Sequence, residues 1–114
     1  MSSVDRYLDY AKEVIDKLDR KEIAKFLHEI DMLQRADGRL FILGVGGGAA
    51  NASHAVNDFR KLTEIEAFAP TDNVAELTAR INDDGWENCF ADWLKGSRLT
   101  INDAVLVLSV GGGN

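Results

Sequence analysis

Cysteine is almost absent from this 114-residue sequence. Cys89 stands alone, so no internal disulfide can form, and a buried core thiol in a reducing compartment is expected. Basic clusters are missing as well. Against 19 Asp and Glu there are 13 Lys and Arg, a net charge of −6. Without a basic footprint, neither nucleic acid nor an anionic membrane surface is an expected partner. No apolar run approaches the roughly 18 residues of a membrane span. The opening MSSVDRYLDY lacks the basic and apolar parts of a signal sequence, so a cytoplasmic protein is expected. Repeats, low-complexity linkers and a second domain are also lacking. What remains is a chain 46% apolar, enough for the packed core of one modest domain.

Val4, Tyr7, Leu8, Ala11, Ile15 and Leu18 recur at helical spacing and predict a first amphipathic helix. A second begins near Asp19, with Glu22 placed as in a capping box, carries Ile23, Phe26, Leu27, Ile30 and Leu33, and ends at Gly38. His28 lies off that stripe and is expected in solvent. Residues 39–43 then switch to a continuous apolar run, the mark of a strand covered on both faces. After the glycines, Ala49, Ala52, Val56 and Phe59 predict a helix, with Asn51, His54 and Asp58 on its opposite side. Residues 65–69 read as a short second strand ended by Pro70, followed by candidate caps Thr71, Asp72 and Asn73 for a helix bearing Val74, Leu77 and Ile81. Asp84 with Glu87 resembles another cap, before an aromatic stripe of Trp86, Phe90, Trp93 and Leu94 expected in the core and ended by Gly96. AVLVLS from Ala104 is a third strand expected to be buried inside a sheet.

Strands alternating with helices imply an α/β fold, a parallel sheet with helices on both faces. The glycine-rich turns after Leu43 and after Ser109 both follow strands, and in open parallel sheets ligands bind beyond the carboxyl ends of strands. In a flavodoxin-like order the first and third strands are neighbours, so the two turns would meet in one site. Backbone N–H groups and a helix N-terminus there suit a phosphate. A dinucleotide loop is the competing reading, because Gly44, Gly46 and Ala49 match G-x-G-x-x-A and Glu64 or Glu66 lies near the spacing of a ribose-binding acid. The strand at the chain's end, with a glycine turn and no covering helix after it, suggests either the N-terminal part of a longer domain or a last strand covered by another chain.

Three stretches in order, GVGGGAANASHAVNDF, LTARINDDGWENCF and DAVLVLSVGGGN, resemble the sugar isomerase (SIS) domain family, in its phosphoheptose isomerase branch. The resemblance implies a three-layer α/β/α parallel sheet preceded by two helices. Residues 1–37 would be the helical lead-in and 38–114 the first three strands with their helices, the last two strands lying outside this sequence. It implies a homotetramer that interconverts sedoheptulose 7-phosphate and a manno-heptose 7-phosphate without a redox cofactor. The family's first turn resembles G-N-G-G-S, and Gly44, Val45, Gly46, Gly47 and Gly48 stand there, so its Asn and Ser side chains are replaced. Its second resembles S-T-S-G-N-S, against Ser109, Val110, Gly111, Gly112, Gly113 and Asn114.

Carried onto this sequence, the resemblance makes Gly46, Gly47, Gly48, Asn51, Asn82, Asp83, Ser109, Gly111 and Gly112 substrate-binding. His54 and Asp58 match a His and Glu pair in which the carboxylate is the base and which can bind zinc. Four residues apart, the two share a helix face. An aldose–ketose interconversion needs such a base to move a proton between adjacent carbons. The alternative class is a non-catalytic SIS module that binds a sugar phosphate or a protein partner for regulation, suggested by the replaced turn side chains.

Overall fold

The computed structural model describes residues 1–111 and divides into two compact units, Met1–Asp31 and Met32–Asn114. The elements are helices α1 (Ser3–Asp16) and α2 (Arg20–Arg35), strand β1 (Leu40–Gly44), helix α3 (Gly47–Asp58), strand β2 (Ala67–Phe68), helices α4 (Val74–Asp84) and α5 (Cys89–Gly96), and strand β3 (Ala104–Leu108). The three strands form one parallel sheet in the order β2-β1-β3. That is the order expected of a flavodoxin-like sheet at its switch point. Among the described residues no helix is long and apolar enough to cross a membrane.

In the first unit, Ser2 and Asp5 form a reciprocal capping box at the start of α1. Asp19 Oδ1 accepts the N–H groups of Lys21 and Glu22 at 3.0 and 3.2 Å, so the cap read at Asp19 is present. The Glu22 carboxylate pairs instead with Lys25.

The second unit is built around β1, every residue of which is buried. Side chains alternate across the sheet, so Phe41 and Leu43 face one layer and Leu40 and Ile42 the other. Phe41 meets Trp93 of α5 edge-on at 5.5 Å and stacks on Phe68 of β2 at 5.8 Å. Ala52 and Val56, the buried residues of α3, cover the opposite face. The α/β/α layering follows, with α4 packed on α5.

Four local expectations are corrected. α2 ends at Arg35 rather than at Gly38, because Asp37 takes the left-handed conformation, with φ of 52°. Gly38 serves close packing instead, since a Cβ there would lie 1.9 Å from the Asn102 carbonyl oxygen. Asp84 does not cap α5; it is the last residue of α4, which Gly85 terminates with φ of 85°. Trp86 is 49% exposed and meets Phe90 at 5.5 Å, so of the aromatic stripe it alone leaves the core, where Trp93 is buried and Phe90 and Leu94 pack against its cluster. β3 is not buried as expected: it stands at one side of the three described strands, with Val105 40% and Val107 62% exposed.

A polar lock ties the starts of β1 and β3. Asp103 accepts from the Arg39 backbone N–H at 2.8 Å, from the Arg39 guanidinium at 2.9 Å and from the Thr100 N–H at 2.8 Å. Burial alone would raise the Asp103 pKa, but the bonds from Arg39 and Thr100 outweigh it and hold the carboxyl at about 2. A depressed carboxyl stabilises the fold above its unfolded pKa near 4, and that contribution is lost as pH falls through about 2. About 2 kcal/mol of stability is therefore expected to disappear between pH 5 and pH 2. Asp103→Asn should remove that part of the pH dependence in urea unfolding; an unchanged profile would show that Asp103 carries none of it.

Candidate functional site at the carboxyl ends of β1 and β3

The turn after β1 is shaped by glycines with different duties. Gly46 has φ of 60° and ψ of −121°, a region that side chains disfavour, and it occupies the cap position of α3 with no side-chain hydrogen bond. Gly48 N–H donates to Val45 O at 3.0 Å and Ala50 N–H to Gly46 O at 3.1 Å, which closes the first turn of α3. The Gly47 and Ala49 N–H groups have no backbone acceptor among the described residues. Those are the orphan donors that a helix N-terminus offers an anion.

A Cβ at Gly48 would lie 2.9 Å from the Leu108 carbonyl oxygen, so the first turn of α3 abuts the end of β3. The two glycine turns therefore meet. Between them is a cavity of about 380 Å³ to which they contribute Gly44, Val45, Gly48, Ser109, Val110 and Gly111. Its wall on the α5 side is apolar, formed by Phe90 and Val107. Sequence reading passed over those two residues as core, and only the parallel register that sets β3 beside β1 places them here.

Gly46→Ala is expected to cost about 1–3 kcal/mol, from the backbone conformation alone. Gly47→Ala meets nothing within 4 Å and should leave the thermal midpoint unchanged or slightly raised. Equal midpoints for the two variants would contradict this division.

The polar stripe of α3 runs away from this turn along the solvent face. Asn51 is exposed, and His54 Nε2 lies 3.2 Å from Asp58 Oδ2, with side chains 77% and 49% exposed. The structure thus pairs His54 with Asp58 but does not bring them, Asn51, Gly46 or Gly47 into the wall of the cavity. Asn82 and Asp83 lie exposed in the last turn of α4, where Asn82 Nδ2 donates to Asp83 Oδ1 at 3.1 Å, and neither lines the cavity. Gly111 lines it, whereas Gly112 lies outside the described residues.

The dinucleotide reading is overturned. Glu64 and Glu66 precede β2, at the end of the sheet opposite the glycine turns, and line a separate hollow with Gly38. A ribose-binding acid must sit at the carboxyl end of that strand. Zinc meets a different obstacle: among the described residues no three of His, Cys, Asp and Glu come together. His54 and Asp58 are two donors, one short of the three protein ligands of a catalytic zinc. These residues do not by themselves fit the ion, and the proton chemistry proposed below rests on the pair alone.

Comparison with known proteins points the same way as the motifs. No protein-family model matches the chain. It is 28% identical over 118 aligned positions to a phosphoheptose isomerase of Syntrophotalea carbinolica, an alignment covering 96% of this chain and 60% of the relative. The solved structure of phosphoheptose isomerase GmhA from Neisseria gonorrhoeae superposes with a TM-score of 0.82 at 23% identity. That match covers 98% of this chain and 63% of the other. The chain thus spans about three fifths of the length of the proteins it matches. The fold is the three-layer α/β/α arrangement of the SIS type, and these similarities support the resemblance to phosphoheptose isomerases.

Proposed function

We propose that this chain is the phosphate-holding part of a phosphoheptose-type isomerase, which interconverts sedoheptulose 7-phosphate and a manno-heptose 7-phosphate. The observation that carries the reading is the meeting of two glycine turns at the carboxyl ends of adjacent parallel strands, with unpaired N–H groups at the start of α3. A phosphate taken up by the Gly47 and Ala49 N–H groups, beside the cavity, would leave the sugar to extend along α3 toward the residues that move the proton. Asp58 is the base of the proposal. It takes a proton from the hydroxyl-bearing carbon beside the carbonyl, giving an enediolate, and returns it to the carbonyl carbon, while the proton of the first carbon's hydroxyl passes to the old carbonyl oxygen, so that ketose becomes aldose. His54, whose Nε2 lies 3.2 Å from that carboxylate, would orient it. Asn51 on the same stripe, with Asn82 and Asp83, would bind sugar hydroxyls, and Ser109, Gly111 and Gly112 would close the second turn over the phosphate.

On the same reading the protein is a cytoplasmic homotetramer that needs no redox cofactor. The exposed apolar stripe of Val4, Leu8 and Ile15 on α1 supports self-association. A second reading, a non-catalytic module that binds a sugar phosphate for regulation, is favoured by one observation. Val45 and Val110 line the cavity where the resembling family has polar side chains. One assay separates the two. The natural polypeptide incubated with sedoheptulose 7-phosphate should yield aldoheptose phosphate; saturable binding of that sugar phosphate with no turnover would leave the regulatory reading.

A further inference from the structure

The amino-terminal half of α3 has little to stop it turning about its own axis. Its first seven residues, GGAANAS, contain only two side chains able to hydrogen-bond, Asn51 and Ser53. Gly48 against Leu108 fixes where the helix begins, and Ala52 with Val56 fixes its depth on the sheet. Small apolar contacts of this kind set depth better than roll. Beyond the far end of the helix Arg60 reaches Ala67 O and the Phe68 ring, and in the amino-terminal half a polar restraint lies on the flank, where Ser53 Oγ donates to Asp72 Oδ1.

Asp72 is well placed to act as an anchor. It ends the short 3₁₀ turn Pro70–Asp72 that follows β2, and the turn is rooted in the core by Ala69 and Pro70, both buried. The Asp72 N–H donates to Ala69 O at 3.1 Å, and the next residue, Asn73, caps α4 by accepting from the Glu76 N–H at 3.1 Å. Thr71 Oγ1 is buried with no hydrogen-bond partner among the described residues, so the turn keeps its shape without satisfying its own hydroxyl. That is the behaviour of a segment fixed by its neighbours on both sides.

Successive residues of a helix project about 100° apart. A helix pinned at Ser53 therefore presents His54 in one defined direction, and Asp58, a turn further on, along the same line. We infer that Asp72 is a positioning residue for the His54–Asp58 pair, acting through the Ser53 hydroxyl. Its bearing on catalysis rests on the isomerase reading; its hold on the orientation of the pair does not. A base displaced by as little as about 1 Å loses up to about a hundredfold in rate, so releasing the clasp is expected to matter more for turnover than for substrate affinity.

The chain contains two histidines, His54 and His28, and His28 on α2 serves as the internal control. The imidazole resonances of both are followed at one fixed pH in protein labelled with nitrogen-15 on histidine. Asp72→Ala and Ser53→Ala should each shift the His54 ring signals in the same direction, and the double variant by no more than the singles. Asp72→Asn, which keeps the Oδ1 acceptor, should leave them in place, and His28 should not move in any variant. In the natural polypeptide kcat should fall about tenfold in both alanine variants, with KM within about twofold and recovery in Asp72→Asn. His54 shifts in a protein that shows no heptose phosphate turnover would uphold the clasp and remove the isomerase reading. His54 signals unmoved in both alanine variants, or moved as far by Asp72→Asn as by Asp72→Ala, would overturn the inference.

Discussion

Gly44→Ala is expected to lower the unfolding free energy by about 3 kcal/mol, the largest loss from adding one methyl group to the glycine turn. A Cβ at this position would lie 2.3 Å from both the carbonyl carbon and oxygen of Gly48, and 2.8 Å from the Ala49 nitrogen. All three are backbone atoms, so no side chain can rotate out of the way. The only relief is to part the end of β1 from the first turn of α3. β1 is the central strand, and its displacement disturbs Phe41, which packs against Phe68 and Trp93. Gly48→Ala has a single contact under 3 Å, with the Leu108 oxygen, and should cost less, about 1–2 kcal/mol. Urea unfolding of the two variants beside Gly47→Ala checks the ranking. A Gly44→Ala protein within 1 kcal/mol of its parent would mean that strand and helix do not meet as described.

That ranking marks the boundary of what the sequence makes legible. A glycine-rich run after an apolar strand announces a turn at a ligand-binding end of a sheet, and the structure has that turn at the meeting of β1, α3 and β3. The duties of individual glycines are not written locally. Gly44 and Gly48 are required by atoms that approach from α3 and β3, Gly46 by its own dihedral angles, and Gly47 by nothing within 4 Å. Three identical letters in a row therefore conceal two different constraints and one position that carries none. The continuous apolar character of residues 40–43 correctly marks a strand covered on both faces, yet the same signature in residues 104–108 belongs to a strand that the described residues leave partly open, with Val107 largely uncovered. Composition records what a strand can bury and not what is beside it.

Polar partnerships across the chain are equally silent in one dimension. Arg39 and Asp103 are 64 residues apart and Ser53 and Asp72 are 19 apart, and no spacing rule couples them. The His54–Asp58 pair was legible because both residues lie on one helix, four apart, where geometry follows from the period alone. Its distance from the cavity wall was not, since that depends on how α3 lies across the sheet. The local switch from Asp84 as a cap to Asp84 as a helix end has a similar origin. Gly85 with φ of 85° decides it, and a cap residue and a last helical residue look alike until that angle is known.

Asp58→Asn should reduce kcat for sedoheptulose 7-phosphate by about 10²–10⁴-fold in the natural polypeptide, the range lost when a positioned general base is removed. The substitution is a clean one. The Asp58 side chain is 49% exposed, and its partner His54 is 77% exposed on the same helix face, so stability should change by no more than about 0.5 kcal/mol. KM should stay within about twofold, because the phosphate is held by the turn at the opposite end of the stripe, about three helical turns away. Asp58→Glu is the informative companion. Lengthening the side chain by one methylene keeps the carboxylate and its reach to His54, so activity should survive at a substantial fraction of the parent, whereas a residue with no part in turnover would leave Asp58→Glu and Asp58→Asn equally active. Unaltered turnover in Asp58→Asn would take the base role away from this residue and leave α3 as a phosphate-binding helix, with the proton transfer assigned elsewhere in the polypeptide.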